Sequence, residues 1–281
     1  MSAILPAIRS ALQPAIRAAI SGGYGSSSAW SPLTLFSASE VGVWYDPSDF
    51  STMYQDSAGT TPVTAVGDPV GKILDKSGNG KHATQATAAS RPILRHDGTN
   101  YYLEFDGVDD SLATAAIDFS ATDKITHHAG WTQSTYSFGM VTELSSNVGP
   151  NAGTFSLAGY TVGEMFFVAR GTAALTARFD AATLPKTRVS TGLLDIAQAL
   201  AAGEIVARVN GVVKSVLSYL DAGPAGTGNF GNYPLYLGRR GGVQYPLSGR
   251  IYSIVIRGAL SDAAQIAAAE SYVAGKSGVT L

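Results

Sequence analysis

The sequence predicts an all-β chain, an antiparallel β-sandwich of the jelly-roll kind, and three observations carry that expectation. Charged residues make up 14% of the 281 residues and glycines number 32, against the roughly 25% charge of an average soluble protein. Many short strands joined by tight turns, under a neutral polar surface, have this composition. "EIVARVNGVVKSVLS" holds two apolar, β-branched runs joined by Asn210-Gly211, a pair that tolerates the positive φ a two-residue type I′ turn requires. No alternation of strand and helix patterns runs along the chain, which sets aside doubly wound and barrel folds.

Taken in order, the chain opens on a helical pattern. "PAIR" occurs twice, and Ile4, Ile8, Leu12, Ile16 and Ile20 recur every four residues, a stripe that slews by about 40° per step on a helix of 3.6 residues per turn. Pro14 kinks this helix or divides it. So short a helix needs something to bury its stripe against: its own domain, or a partner or further copies of itself. "SGGYGSSSAWSP" follows and reads as a flexible linker, which favours the second reading. The expected organisation is an attachment helix over 1–20, a linker over 21–34 and a sandwich over 35–281. An acid-free, arginine-bearing start is also how organelle transit peptides look, while Arg9 and Arg17 interrupt the apolar region a secretory signal needs.

Beyond the linker the pattern is β. "YYLEFDG", "YSFGMVTEL", "GTFSLAG", "EMFFVAR", "PLYLGRR" and "GRIYSIVIRG" are strand candidates, and in the last Tyr252, Ile254 and Ile256 are expected on one face. One helix closes the series: "LSDAAQIAAAESYV", with Ser261 or Asp262 as N-cap and Ile266, Ala269 and Val273 as its stripe.

Charge and composition narrow the function. A formal net charge of −2 with scattered Lys and Arg gives no footprint for nucleic acid. The absence of cysteine removes disulfide scaffolds, thiolate zinc sites and thiol nucleophiles together. No run approaches the roughly 18 apolar residues of a membrane helix, so no membrane insertion is expected.

Three ordered stretches resemble the concanavalin A-like lectin/glucanase superfamily, specifically its laminin-G-like jelly rolls. They are "VWYDPSDFSTMYQDSAGTTPV" running into "VGKILDKSGNGKHATQATAASRPIL", then "YLEFDGVDDSL", then "LYLGRRGG" with "PLSGRIYSIVIRGALSDAAQIAAAESYV". Together they bracket residues 43–273. Versions starting "WYDPSD" look especially like domains of bacteriophage virion proteins, tail fibres above all. The resemblance implies a non-enzymatic virion protein of a tail fibre or tail tip, a homotrimer held to other virion proteins through its N-terminal segment. It implies presentation of a lectin-like domain to a host-surface polysaccharide. A capsid or tail decoration or adaptor protein without a glycan role is the nearest alternative.

The superfamily also contains glucanases, whose strand carries alternating carboxylates, and "LEFDGVDDSL" mimics that spacing with Glu104, Asp106 and Asp109. A glycan hydrolase using Glu104 and Asp106 is therefore a further alternative. Against it, Gly107 invites a turn, and Asp109 is a methylene shorter than the expected Glu, an error of the order of 1 Å that catalysis tolerates poorly. The expectation is a turn in which Asp side chains accept local N–H groups, with no catalytic residue. Asp75, Asn79, Asp106, Asp109 and Asp110 offer oxygens of the kind Ca²⁺ takes, without the spacing of an EF-hand; no resident metal or cofactor is expected. His127 and His128, adjacent on a strand, point to opposite faces and are expected, with His82 and His96, at the surface or in loops. No G-x-S-x-G elbow exists, and "GTGNFGN" lacks the strand–helix setting of a phosphate cradle.

For a carbohydrate the useful groups are exposed aromatics with amide and charged neighbours. Two clusters qualify: Trp131 with Gln133 and Tyr136, and Tyr245 with Arg240 and Gln244. Trp44 sits in a strand pattern and is expected in the core.

Overall fold

The computed structural model describes residues 30–221 and 223–281. The stripe Ile4, Ile8, Leu12, Ile16 and Ile20 lies outside the described residues, as does nearly all of the expected linker. The compact unit formed by Pro32–Leu281 is an antiparallel sandwich of two sheets, and the strands are numbered here in chain order.

The eight-stranded sheet runs β15 (Val212–Lys214), β14 (Ile205–Val209), β13 (Lys186–Asp195), β8 (Lys124–Gln133), β18 (Ser248–Arg257), β6 (Tyr101–Asp106), β5 (Ile93–His96), with β1 (Gly42–Tyr45) also on β18. The ten-stranded sheet runs β16 (Ser218–Asp221), β12 (Ala174–Phe179), β11 (Met165–Arg170), β10 (Thr154–Gly159), β9 (Gly139–Leu144), β17 (Asn232–Leu237), β7 (Leu112–Asp118), β4 (Ala83–Thr84), β3 (Lys72–Ile73), β2 (Met53–Tyr54). Between them lies one core containing Phe105, Phe119, Phe155, Phe167, Phe179 and Trp131. This is the predicted all-β class, and each strand candidate quoted above contains a strand.

The Asn210-Gly211 hairpin forms as expected, with φ of +50° and +78° at its two central residues. The alternation expected in β18 does not. A bulge between Ile251 and Ser253 inserts Tyr252 as an extra residue. Ile251, Ile254 and Ile256 enter the core, whereas Tyr252 packs beside Tyr102, ring centroids 5.3 Å apart.

A short α1 (Ala201–Glu204) precedes β14. The closing helix α2 (Ala263–Ser277) starts at Asp262, whose side chain accepts from the Gln265 N–H while the Gln265 side chain accepts from the Asp262 N–H. The helix lies on the outer face of the eight-stranded sheet against β8, β13 and β18. Gly130 in β8 lets it come close, since a Cβ there would meet Val273 Cγ1 at 2.9 Å.

With a sheet on one side and a helix on the other, the middle of β8 has no wet face. His127 and His128 are buried, not at the surface or in a loop. They do point to opposite sides: His127 Nε2 meets Thr142 Oγ1 at 2.7 Å in the core, and His128 Nδ1 meets Thr191 Oγ1 at 2.9 Å. Burial, aided by the neighbouring His128, holds the His127 imidazole down at about 3. Burial holds His128 at about 4, with Glu270 opposing and Arg208 adding to the effect.

Candidate functional site

The outer face of the ten-stranded sheet carries a cluster that its β9 strand sets up. Leu157 of β10 faces Thr142 and Ala158 faces Met140, so Val141 is an extra residue in β9. Such a bulge re-aims side chains. Val141 joins the core and Thr142 meets His127, while Met140 and Glu143 lie on the outside. There Met140, Ala158, Phe166, Val168 and Val148 form a second apolar cluster, with Phe138 and Tyr160 packed against it.

Four aromatic rings make a continuous strip on this face. Phe138 stacks on Phe166 with centroids 5.1 Å apart, meets Tyr160 edge-on at 6.0 Å, and meets Tyr245 at 4.5 Å. A guanidinium stands over each end. Arg178 lies 5.2 Å from the Tyr160 ring centre and Arg240 lies 4.8 Å from that of Tyr245, inside the range of a cation–π contact. Both are held from behind by carboxylates. Arg178 Nη1 lies 3.1 Å from Glu164 Oε2, and Arg240 Nε lies 2.8 Å from Glu143 Oε2. Glu143 has no exposed surface; burial pushes its carboxyl up, while Arg240 and the Val148 N–H pull it back.

Tyr245 is 42% exposed. Its backbone sits at φ +52°, a left-handed conformation that costs a side chain of this size about 1–2 kcal/mol. The Met140 N–H bonded to its carbonyl at 3.0 Å, the Phe138 ring and Arg240 hold it there. The turn behind it is tight. The Arg240 N–H donates to the Gln244 carbonyl at 2.8 Å, and the Gln244 N–H returns a bond to the Arg240 carbonyl at 3.1 Å, across Gly241 and Gly242 at φ +56° and +70°.

Of the two clusters read from sequence, the second is therefore brought together: Arg240, Gln244 and Tyr245 share one exposed turn. The first is divided. Tyr136 is 54% exposed, on the loop leading to Phe138, and its hydroxyl accepts from the Leu184 N–H. Trp131 has no exposed surface; its Nε1 donates to Ser190 Oγ at 2.9 Å and Arg188 covers its ring. It cannot stack on a sugar, because β8 is central in its sheet and Trp131 faces the core. Gln133 is also buried. Its Nε2 donates to the carbonyls of Thr135, Ser137 and Tyr160, so it shapes the loop that carries Tyr136. Sequence reading missed Phe138, Tyr160, Phe166, Arg178, Glu143 and Glu164. Phe166-Phe167 held a signal for one of them, since adjacent strand residues face opposite sides and one phenylalanine had to lie outside the core.

The acidic stretch is a turn, as expected. β6 ends at Asp106, Gly107 sits at φ +79°, and Asp106 Oδ1 accepts from the Val108 N–H at 2.8 Å. Asp110 Oδ2 accepts from the Asp106 N–H at 3.0 Å; burial and the nearby Asp106 and Asp109 raise its carboxyl to about 6. Glu104 and Asp106 line a cavity of about 320 Å³ with Ser134 and Arg250. Glu104 is paired with Arg95 at 2.7 Å, and Asp106 holds its turn. Asp106, Asp109 and Asp110 place one oxygen each within 4.8 Å of one another. Asp75 and Asn79 are apart from them: Asp75 accepts from the Trp44, Ser77 and Lys81 N–H groups, and Asn79 donates to the carbonyls of Glu40 and Gly42.

The sequence matches no protein-family model and no curated protein. Among solved structures the chain is similar to the Trypanosoma rangeli sialidase, with 10% identity and a TM-score of 0.50 over 85% of this chain and 33% of that one. It is also similar to the Ruminococcus gnavus IT-sialidase CBM40 bound to α2,3-sialyllactose, with 16% identity and a TM-score of 0.39 over 55% of this chain and 96% of that one. The chain spans about a third of the length of the Trypanosoma protein, and the likeness to it is one of fold. It corrects the expectation of a non-enzymatic chain: this architecture occurs within an enzyme, a sialidase, and carries no exclusion of catalysis.

Proposed function

We propose that the chain recognises carbohydrate through the outer face of its ten-stranded sheet, with Tyr245 as the stacking ring. The observation that carries this reading is the exposed Tyr245, held at φ +52° between Phe138 and Arg240. Backbone strain clusters at binding sites, and here a buried carboxylate and a guanidinium hold it beside an exposed aromatic. A tyrosine plane meets the apolar face of a pyranose. Beside it, the Arg240 guanidinium and the Gln244 amide offer donors that fix the orientation of hydroxyl or acidic groups.

The sequence resemblance supports a station for this activity: a bacteriophage virion, as a tail-fibre or tail-tip component held through residues 1–20, facing a host-surface polysaccharide. Assembly as a homotrimer would set three such faces side by side and raise avidity by mass action.

The full chain applied to an array of bacterial and animal glycans is the test. Retention of defined glycans, weakened at least tenfold by Tyr245→Ala with an unchanged melting temperature, is the expected result. An array with no bound glycan, or binding indifferent to Tyr245→Ala, overturns the reading. Mass spectrometry of purified particles checks the virion station, and absence of the chain there removes it.

A further inference from the structure

A second cavity, of about 590 Å³, is lined by residues of the segments 196–199 and 224–229 together with Asp123 and shares no residue with the aromatic strip. Its size lies within the roughly 300–1,000 Å³ of small-ligand sites. Ile196, Ala197, Ala199 and Pro224 give it an apolar wall of small aliphatic groups; Asp123, Gln198, Thr227 and Asn229 give it polar ones. Neither an aromatic ring nor a cationic side chain is among the residues that line it.

The polar groups are positioned and mostly offer acceptors. Gln198 Nε2 donates to Asp195 Oδ2 at 2.8 Å, and Asn229 Nδ2 donates to the Ser120 carbonyl at 2.7 Å. Each amide is thereby anchored through one of its two N–H bonds. Asp123 is paired with Lys124 at 2.8 Å, which offsets its charge. The 226–229 turn depends on glycine. Gly226 sits at φ +86°, where a Cβ would lie 2.1 Å from Thr172 Oγ1, and Gly228 sits at φ +103°.

We infer that this cavity binds a neutral N-acetylated hexosamine, its acetyl methyl against the Ile196, Ala197, Ala199 and Pro224 wall and its N–H and hydroxyl groups donating to Gln198, Asn229 and Asp123. Among the described residues the lining offers the Asp123 carboxylate and no cationic side chain, which disfavours an acidic ligand because like charges repel. The absence of a ring removes stacking as the source of affinity. What remains is a small methyl-bearing group surrounded by hydrogen-bond donors, which an acetamido sugar supplies and a plain hexose does not. The inference does not rest on the reading of the aromatic face.

Saturation-transfer NMR with the full chain and N-acetylglucosamine, with glucose and N-acetylneuraminic acid as comparisons, tests it. The acetyl methyl should take the strongest saturation. Glucose and the acidic sugar should give signals at least tenfold weaker at this cavity. The measurement is made in the Tyr245→Ala chain, where the aromatic face no longer contributes, and Ala197→Trp added to that chain should abolish the effect. Ala199→Phe, at an exposed position, replaces Ala197→Trp if that variant does not fold. In the Tyr245→Ala chain, saturation that is absent, that spares the methyl, or that persists in a folded filled-cavity variant overturns the inference.

Discussion

At position 143 a carboxylate with no contact with solvent faces the Arg240 guanidinium and the Val148 N–H. Removing it leaves the partly exposed Arg240 without its carboxylate and the Val148 N–H without its acceptor, and losing a buried, charge-assisted hydrogen bond costs about 1–3 kcal/mol. Glu143→Ala should therefore lower the unfolding free energy, read from urea melts, by that measure and free Arg240 from the Tyr245 ring, while Glu143→Gln keeps an acceptor for Val148 and should cost less. A midpoint indifferent to both changes would show that the pair does not hold the turn. The two buried histidines give a second prediction at this scale. Their folded values of about 3 and 4 lie below the roughly 6.5 of an unfolded histidine. Stability is thus full above pH 6.5 and declines as pH falls from there toward 4, on the order of 2 kcal/mol per histidine at pH 5. Asp110, raised to about 6, acts in the opposite sense between pH 6 and 3.8 and at pH 5 offsets about 1 kcal/mol. Urea midpoints measured between pH 7 and 5 should fall, and His128→Gln should flatten that fall.

Among the elements, those whose signal is local were legible. Asn210-Gly211 fixes its hairpin through φ alone, and Asp262 with Gln265 fixes the start of α2. Gly211→Ala should cost about 1 kcal/mol, because φ is +78° there while the nearest atom to a Cβ, in Leu281, is 3.4 Å away. Gly42→Ala should cost more, since a Cβ would stand 2.0 Å from the Ile256 carbonyl and β1 would lift off β18. Asp262→Ala should cost about 0.5–2 kcal/mol. Thermal melts of the three variants rank them, and a Gly42→Ala melt at or above that of Gly211→Ala would contradict the packing described. Strands β8 and β13 were not legible. "KITHHAGWTQ" and "KTRVSTGLLD" lack an apolar alternation because both their faces are buried, and their polar groups find one another across the sheet: His128 with Thr191, Trp131 with Ser190, Thr132 with Thr187. That complementarity between residues 55–63 apart in sequence has no trace in either strand alone. The bulge at Tyr252 was hidden for the same reason, since β8 imposes it.

For the whole molecule, the all-β class followed from turns and apolar runs, but neither the strand order nor the candidate face did. It is assembled from β9, β10–β11, β12 and the turn after β17, and two of its six missed residues, Glu143 and Glu164, are acids that sequence alone places at the surface. Trp131 shows the converse: an aromatic beside glycine and glutamine reads as a sugar platform until its strand proves central. The layering predicts a single cooperative transition. α2 covers β8, β13 and β18, and Val273 packs with Val189. Val273→Ala should then lower the melting temperature of the sandwich as one unit, at a cost of about 0.5–3 kcal/mol, with near-ultraviolet dichroism and fluorescence changing together. Separate transitions by the two probes would show the helix to be an appendage.

Among the described residues β1 pairs with β18 alone, Val43 opposite Ile256 and Tyr45 opposite Ile254. The earliest strand of the sandwich is thereby completed by its latest. On a ribosome, Val43, Trp44 and Tyr45 emerge long before residues 254–257 are made, and closing so long a loop is slow. A nascent chain arrested before β18 should hold that edge open to water and be captured by chaperones that bind unpaired apolar strands, and release past residue 257 should end the capture.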